Sequence, residues 1–360
     1  MSILWKGYGA DITVIEKDSA YLGLDRDGRQ LYRDSDLSTV LNNIAGDYTT
    51  GINVLLALLE DHILTEQVDW YDKTRIRGLV FGDVERDNGT VLIADNAFSD
   101  NYMFTFPDGG AHASYHMGSV CEHIGFDGNS GSVSDLGATY FQSPVDCYMQ
   151  YCQLRNFDPL STGGAILMGD AAGTLGFGDH IYENIIYDVT SAPSIRMVNC
   201  DESYINLNEV GNNDLAGSNA AIYVTNGRNH ELFNVMKGCA GRGMMLAVGY
   251  HCCIGNTFDK VDQYNLFLSN ATKCTIASNA FYEVNYTIAE TYSAIYGNNS
   301  TYIRCFDNFV YSSTKQPDYC LETAGTSDYW QYYGNDFREY TTAAVSLVGT
   351  HNSTSPTNWT

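Results

Sequence analysis

The stretch CIGNTFDKVDQYNLFLSNATKCTIASNAF, Cys253–Phe281, contains nearly the same phrase twice. In each copy an asparagine, Asn256 or Asn279, lies two residues before a phenylalanine, Phe258 or Phe281. Asparagine tolerates the left-handed backbone conformation of a tight corner. Alternate residues of a β-strand point to the same side of the sheet. The phrase therefore predicts a chain corner at the asparagine, followed by an inward-facing aromatic residue.

Similar phrases recur through the second half of the chain at intervals of 22 to 28 residues. A period in this range is the signature of a repeat protein. The segments between them are β-rich and lack helical periodicity, which argues against leucine-rich and helical repeats. The alternative, an asparagine-rich β-sandwich, does not explain seven phrases in phase. The pattern predicts an all-β, single-stranded parallel β-helix.

A buried asparagine can donate to and accept from the equivalent amide in the next coil. The recurring phrases thus predict a structural ladder of stacked polar side chains along the core. Its predicted members are Asn184, Asn208, Asn234, Asn256, Asn279, Asp307 and Asn335.

The composition restricts the possible partners. Among 360 residues, 43 are acidic and 19 are basic, which gives a formal charge of −24. This balance argues against nucleic acid and anionic membranes as partners. No apolar run reaches transmembrane length, so membrane insertion is not expected. The first residues, MSILWKGYGADITVIEKD, have neither a basic nor an apolar segment, so no secretory signal is expected in them. The ten cysteines are interpreted mainly as reduced core thiols, with disulfides as the alternative.

The N-terminal region predicts a cap for the solenoid. Residues 21–32 read as a hairpin with an Asp-Gly turn. Apolar residues at helical spacing predict a short helix over 35–46, with Ser35 as its N-cap and Gly46 following its end. The predicted organisation is an N-terminal extension and hairpin over 1–34, a β-helix over 35–340, and a C-terminal strand and tail over 341–360.

Two stretches carry a family resemblance: DRDGRQLYRDSDLSTVLNNI…GINVLLALLEDHILTEQVDWYDKTRIRGLVFG and the later EHIGFDG, residues 122–128. They resemble the pectate-lyase-like β-helix superfamily, which includes polysaccharide lyases, polygalacturonase-type hydrolases and viral tailspikes. The resemblance extends from about Ser35 to Phe337. It implies a right-handed β-helix that handles an extracellular glycan. It also implies a homo-oligomer, with a trimer favoured, located outside the cell or on a virion surface.

In this superfamily the first strand of each coil lines the glycan groove. The strands implied here are Ile166–Met168, Ile195–Val198, Ile222–Val224, Met244–Val248, Leu266–Leu268, Thr287–Ala289 and Cys320–Glu322. The hydrolase phrases that normally precede these strands are absent. Gly241-Arg242-Gly243 stands where a Gly-His-Gly phrase is expected, which puts that hydrolase mechanism in doubt.

Glycan cleavage needs paired carboxylates, or a base beside a neutralised uronate. The candidates for acid and base are Asp214, Asp262 and Glu283, and Arg242 is the candidate for binding a sugar carboxylate. The candidate sugar-binding aromatic residues are Tyr223, Tyr264, Phe267 and Tyr286. All of these residues could equally be solvated turn residues.

No metal site is predicted, and Ca²⁺ is expected only for a lyase. Two functions remain open at this level. The chain is a glycan-binding and glycan-cleaving protein, by a lyase or hydrolase reaction, or it is a non-catalytic structural fibre or adhesion protein built from stacked β-helix subunits.

Overall fold

The computed structural model describes residues 9–79, 89–108, 115–170, 175–215, 219–285, 287, 291–313, 315–338 and 340–354. They fall into two compact units, Met1–Ile186 and Tyr187–Thr360. Each unit is a stretch of right-handed parallel β-helix, in which each coil adds a strand to a first, a second and a third sheet. The predicted fold class is confirmed. The domain boundaries at residues 34 and 340 stay predictions.

The first unit begins with three antiparallel strands, Ile12–Lys17, Ala20–Asp25 and Gln30–Asp34. Helix Leu37–Asp47 follows, and its apolar face is buried. The N-cap is Asp36 and not the predicted Ser35, because the Asp36 carboxylate accepts a hydrogen bond from the backbone N–H of Ser38 at 2.9 Å. The predicted end at Gly46 is also corrected, since the helix includes Gly46.

The coils of the first unit are built from short parallel strands. Its first sheet contains Val68–Asp69, Tyr102–Phe106, Gly137–Phe141 and Ile166–Met168. Its second sheet contains Asn53–Leu56, Arg75–Gly78, Val120–Glu122, Tyr148–Gln150 and His180–Tyr182. Its third sheet contains Glu60–Leu64, Thr90–Ala94, Gly125–Asp127 and Gln153–Phe157. Short strands at His116–Met117, Pro144–Val145 and Gly176–Phe177 pair separately.

The second unit repeats the arrangement. Its first sheet contains Ile195–Val198, Ala220–Thr225, the start of Arg242–Ile254, Leu266–Ala271, Ile295–Asn298, Tyr319–Ala324 and Ala343–Ser346. Its second sheet contains Tyr204–Asn206, Arg228–Leu232, the end of Arg242–Ile254, Thr275–Ala277, Arg304–Phe306, Gln331–Tyr333 and Ser353–Thr354. Its third sheet contains Glu209–Gly211, Val235–Lys237, Thr257–Asp259, Ala280–Tyr282, Phe309–Tyr311 and Asp336–Phe337. Strand Ile185–Val189 spans the division between the units, and Cys200–Asp201 is a separate short strand.

A column of buried asparagines runs along the corner between the second and third sheets of the second unit. Asn234 Nδ2 donates to Asn256 Oδ1 at 3.0 Å, and Asn256 Nδ2 donates to Asn279 Oδ1 at 3.1 Å. The same Oδ1 atoms accept the backbone N–H groups of Asn234 and Asn256, both at 2.9 Å. Each acceptor thus serves two donors of the preceding coil. The column comprises Asn208, Asn234, Asn256, Asn279, Asn308 and Asn335.

In the first unit, Asn184 makes the equivalent backbone contacts. Its Oδ1 accepts from Cys152 N at 3.0 Å, and its Nδ2 donates to Met149 O at 2.9 Å. Two residues beyond the column asparagines, Phe258 and Phe281 are fully buried and stack at 4.8 Å between ring centroids. The aromatic residue of the repeated phrase therefore fills the core.

The structure corrects two details of the predicted ladder. Asn308, and not Asp307, joins Asn279 to Asn335, because a carboxylate has no N–H to donate to the next coil. The left-handed residue is not the asparagine but the residue before it, including Asp307 at φ 53°. The asparagine side chain forms hydrogen bonds with the backbone of the corner, while the residue before it adopts the left-handed conformation that turns the chain.

Left-handed asparagines do occur at another corner, between the first and second sheets. Asn226, Asn270 and Asn299 have φ values of 60°, 53° and 52°. In the coil between Asn226 and Asn270, that position is Val248, with φ 43° and an exposed fraction of 48%. A β-branched residue is strained in this region of backbone space.

None of the ten cysteines forms a disulfide, and nine of them are buried. Burial raises the pKa of the Cys239 and Cys305 thiols to about 12. These side chains are neutral core residues at ordinary pH.

We predict that Asn256→Leu lowers the free energy of unfolding by about 3 kcal/mol, because buried amide groups of Asn234 and Asn279 lose their partners. Urea denaturation measures this change. The exposed Asn101 provides the control, since Asn101→Leu should change stability by less than about 0.5 kcal/mol. Equal melting of the two variants would contradict the importance of the column.

We predict that Val248→Asn raises the free energy of unfolding by about 1 kcal/mol, because asparagine relieves the left-handed strain and little apolar contact is lost. Differential scanning calorimetry tests the sign. The reverse change in the next coil, Asn270→Val, should destabilise. A fall in melting temperature for Val248→Asn would show that valine is not strained there.

Candidate functional site

The outer face of the first sheet in the second unit presents a column of large side chains. In-register pairing places Tyr223 beside Met245, Met245 beside Phe267, Phe267 beside Tyr296, and Tyr296 beside Glu322. Adjacent strands of a sheet lie about 4.8 Å apart. Apolar residues that alternate with these side chains fill the core. Each coil therefore contributes one outward side chain to a path along the axis.

Arg242 lies beside this column, at the start of strand Arg242–Ile254. Its guanidinium carbon lies 3.9 Å from the centroid of the Phe267 ring and 5.9 Å from that of Tyr264. Its Nη1 lies 3.4 Å from the sulfur of Met245. Among the residues that the structure describes, no carboxylate forms an ion pair with Arg242, and its buried Nε has no hydrogen-bond partner. Arg242 is thus a half-buried cation surrounded by rings.

Burial lowers the pKa of Arg242 from its ordinary value, but an arginine side chain still stays protonated in proteins. Desolvation also strengthens the interaction of its charge with an anion or a ring face. Arg242 can therefore bind a carboxylate as a bidentate donor without first breaking an ion pair.

Three tyrosines extend the ring surface around Arg242. The Tyr264 ring stacks on Tyr296 at 4.4 Å and meets the edge of Tyr292 at 4.9 Å. Burial raises the pKa of Tyr264 to about 12, so its hydroxyl is a neutral donor and acceptor. One coil beyond Tyr296, Glu322 accepts a hydrogen bond from the Ser293 hydroxyl. We call Arg242, Tyr264, Phe267, Tyr292, Tyr296 and Glu322 the Arg242 cluster.

The three predicted acid and base residues lie on turns that lead into the first sheet. Asp262 is buried, and its two oxygens accept hydrogen bonds from the backbone N–H and the hydroxyl of Thr287. Asp214 is exposed, and it shares with Asp262 a shallow depression of about 340 Å³. Glu283 accepts hydrogen bonds from the backbone N–H and hydroxyl of Ser313.

The structure therefore brings Asp214 and Asp262 to one depression, while Glu283 binds a different turn. The contacts of Arg242 given above are with rings and sulfur, not with these carboxylates. Asp262 fixes the turn at Thr287, and the rings of Tyr264 and Phe267 pack on Arg242 and on their aromatic neighbours. The predicted acid and base pair stays a prediction.

The predicted aromatic contacts have different surroundings. Tyr264 and Phe267 belong to the Arg242 cluster. Tyr223 lies farther along the column, where the guanidinium of Arg196 sits 5.0 Å from its ring centroid. Tyr286 lies outside the described residues.

The sequence reasoning missed one strand and the residues on it. The next strand of the first sheet after Leu266–Ala271 is Ile295–Asn298, and not the predicted Thr287–Ala289. Thr287 lies in the turn held by Asp262, and residues 288–289 lie outside the described part. Tyr296 on this strand and Tyr292 before it were therefore missed, whereas Glu322 was not singled out although its strand, Cys320–Glu322, was predicted. The signal was present, because Ile-Tyr-Gly-Asn-Asn at 295–299 matches Leu-Phe-Leu-Ser-Asn at 266–270.

The described residues also bear on metal and membrane binding. No group of three or more His, Cys, Asp or Glu side chains there is placed to hold a metal ion. No helix in the same residues is long and apolar enough to cross a membrane.

No protein-family model matches the chain, and no curated protein matches it in sequence. Solved structures match it over most of its length. The A-module of the mannuronan C-5 epimerase AlgE4 from Azotobacter vinelandii is 11% identical, with a TM-score of 0.53, and the match covers 89% of this chain and 96% of the module. The DFA-IIIase from Arthrobacter chlorophenolicus A6 without its lid is 14% identical, with a TM-score of 0.52 and coverage of 88% and 96%.

The Dettilon tailspike protein is a third similar structure. It is 11% identical, with a TM-score of 0.56, and the match covers 87% of this chain and 65% of the tailspike chain. At these identities the similarity establishes the shared β-helix fold alone.

We predict that Asp262→Ala lowers the free energy of unfolding by about 2 kcal/mol, because the carboxylate loses two hydrogen bonds to Thr287. Asp262→Asn should lower the free energy of unfolding by about half as much. Its amide oxygen can still accept from the Thr287 N–H, and its amide nitrogen can donate to the Thr287 hydroxyl oxygen, but the charge is lost. Asp214→Asn is the exposed control. Unchanged urea midpoints for both Asp262 variants would contradict a structural role.

Proposed function

We propose that the chain binds a polysaccharide along the first-sheet face of its second unit. The observation that carries this proposal is the Arg242 cluster, in which a half-buried guanidinium lies among four aromatic rings and has no acidic partner in the described part of the chain. Rings offer apolar surfaces to sugars, and the guanidinium offers paired donors to a carboxylate. The column of side chains gives a polymer a path of several coils.

The chemistry of the cluster favours an acidic sugar, such as a uronate or a sialate. The chain carries a formal charge of −24, so an anionic polymer is repelled over most of the surface. A cation that is already desolvated gives such a polymer a local attraction. The names of the similar structures support a glycan ligand, since they include a mannuronan epimerase and a tailspike.

We also propose that the chain cleaves the glycan that it binds. Asp214, Asp262 and Glu283 remain candidates, but Glu322 adjoins the ring surface directly. Its charge helps to raise the pKa of Tyr264 and Tyr296, after the larger effect of burial. Glu322 is therefore the carboxylate that we propose as acid or base for sugar bound at Arg242. Ca²⁺ is expected only if the cleavage is a lyase reaction, and it stays part of that proposal.

The non-catalytic fibre or adhesion protein is the alternative. A homo-oligomer, with a trimer favoured, and a location outside the cell or on a virion remain proposals in either case. Exposed aromatic residues such as Tyr302 and Tyr311 are compatible with contacts between copies, but they do not favour the fibre over the glycan-binding protein.

We predict that Arg242→Gln weakens binding of an acidic glycan by about 10- to 100-fold, which corresponds to the loss of a hydrogen-bonded charge pair. Binding to pectate, alginate, polysialate and neutral cellulose oligomers is measured by calorimetry, together with the release of reducing ends and unsaturated uronates. Arg338→Gln, at an exposed arginine paired with Asp336, is the matched control.

Three results decide between the alternatives. Binding with product release that Glu322→Gln abolishes supports the enzyme. Binding without product release supports a glycan-binding protein without catalysis. Equal affinity of wild type and Arg242→Gln for every acidic glycan would remove the Arg242 cluster as the binding site.

A further inference from the structure

A second concave surface lies on another face of the same unit, beside the second sheet. It is a trough of about 520 Å³, lined by Lys273, Thr275, Tyr302, Arg304, Tyr329 and His351 among others. This volume is within the range of small-molecule binding sites. Its lining shares no residue with the Arg242 cluster.

One wall of the trough is an exposed stack of rings. Tyr302 and Tyr329 stack at 4.6 Å, and Tyr329 and His351 stack at 4.5 Å, with each pair within 8° of parallel. Tyr302 and Tyr329 are 52% and 39% exposed. Large apolar rings in such positions are characteristic of binding surfaces. The ring edges and hydroxyl groups remain accessible to a ligand.

The backbone at these tyrosines is strained. Both have φ 60°, in the left-handed region where glycine and asparagine are the relaxed residues. Lys273, at the same position one coil earlier, has φ 54°, so this left-handed corner repeats from coil to coil. Ring stacking between coils stabilises the wall, but it does not require that the rings be exposed.

The floor of the trough carries polar side chains at the coil repeat. Thr275, Arg304 and Gln331 are in register on adjacent strands, so their outward groups follow one another about 4.8 Å apart. Lys273 stands at one end, with its ammonium group 5.4 Å from the Tyr250 ring centroid. Neither Lys273 nor Arg304 has an ion-pair partner in the described part of the chain.

Several other arginines of this acidic protein are paired with carboxylates. Arg155 and Arg228 bind Asp127 and Asp201, at 3.1 Å and 2.7 Å. Two unpaired cations in one trough therefore select for an anionic ligand. The regularly spaced hydrogen-bond donors of the floor and the adjacent rings favour an anionic ligand that also carries hydroxyl groups and has a repeating structure.

We propose that this trough is a second saccharide site, which binds a carboxylate-bearing oligosaccharide. Its carboxylates pair with Lys273 and Arg304, and its hydroxyl groups bond to Thr275, Gln331 and the tyrosine hydroxyls. A second copy of the chain is a different occupant. The concave shape and the polar floor of the trough favour the oligosaccharide, since stable protein interfaces are centred on well-packed apolar cores.

The test is calorimetry on the full chain with four-residue fractions of polygalacturonate, alginate and hyaluronate, and with cellotetraose as the neutral probe. At least one acidic fraction should bind with two equivalents per chain. Arg304→Gln should lower the affinity for one of the two bound oligosaccharides about tenfold or more and leave the affinity for the other unchanged. Tyr302→Asn should weaken the same equivalent without lowering the melting temperature, because asparagine suits the left-handed backbone.

The variants separate this site from the proposed function. Arg242→Gln should remove the other equivalent. A single equivalent that is sensitive to Arg242→Gln and insensitive to Arg304→Gln overturns the second site and leaves the first. The opposite pattern supports the second site and overturns the first, and no binding of any acidic fraction overturns both. Sedimentation completes the test, because an oligomer that Tyr302→Asn dissociates would identify the trough as a contact between copies.

Discussion

The hydrogen bond between asparagine side chains of successive coils is the constraint on which the second unit depends. A corner buried in the core leaves backbone N–H groups without water, and such groups need partners. Each column amide accepts the backbone N–H and the side-chain N–H of the preceding coil. Because an amide both donates and accepts, the same hydrogen bonds repeat from coil to coil as far as Asn335. A carboxylate cannot take part in the same way.

This column also fixes the register of everything outside it. When equivalent corners are stacked, equivalent strand residues pair, and residues of one type form rows along the axis. The inward rows hold the core rings of Phe258 and Phe281. The outward rows bring together Phe267, Tyr296 and Glu322 from three separate coils. A binding surface thus arises from the same repetition that builds the core.

Desolvation gives the Arg242 cluster its chemical character. A guanidinium packed against Phe267 and Tyr264 has lost part of its hydration, and no acidic side chain compensates for it in the described residues. Asp262 illustrates the opposite case, since Thr287 satisfies both of its oxygens. Of two charged side chains near the same face, the one without a polar partner is the better candidate for ligand binding.

The sequence by itself determined the repeat, the β-helix, the helical cap and most of the asparagine column, because these depend on local periodicity and on residue type. It also singled out Arg242, Tyr264 and Phe267. Only the tertiary structure decided that Asn308 replaces Asp307, that Ile295–Asn298 is the next strand of the first sheet, and that Asp262 binds Thr287. These features rest on contacts between coils more than 20 residues apart, where a change in turn length shifts which residues meet. The periodic pattern of the sequence describes the features that the coils share. The candidate site is formed at a coil that differs from the others.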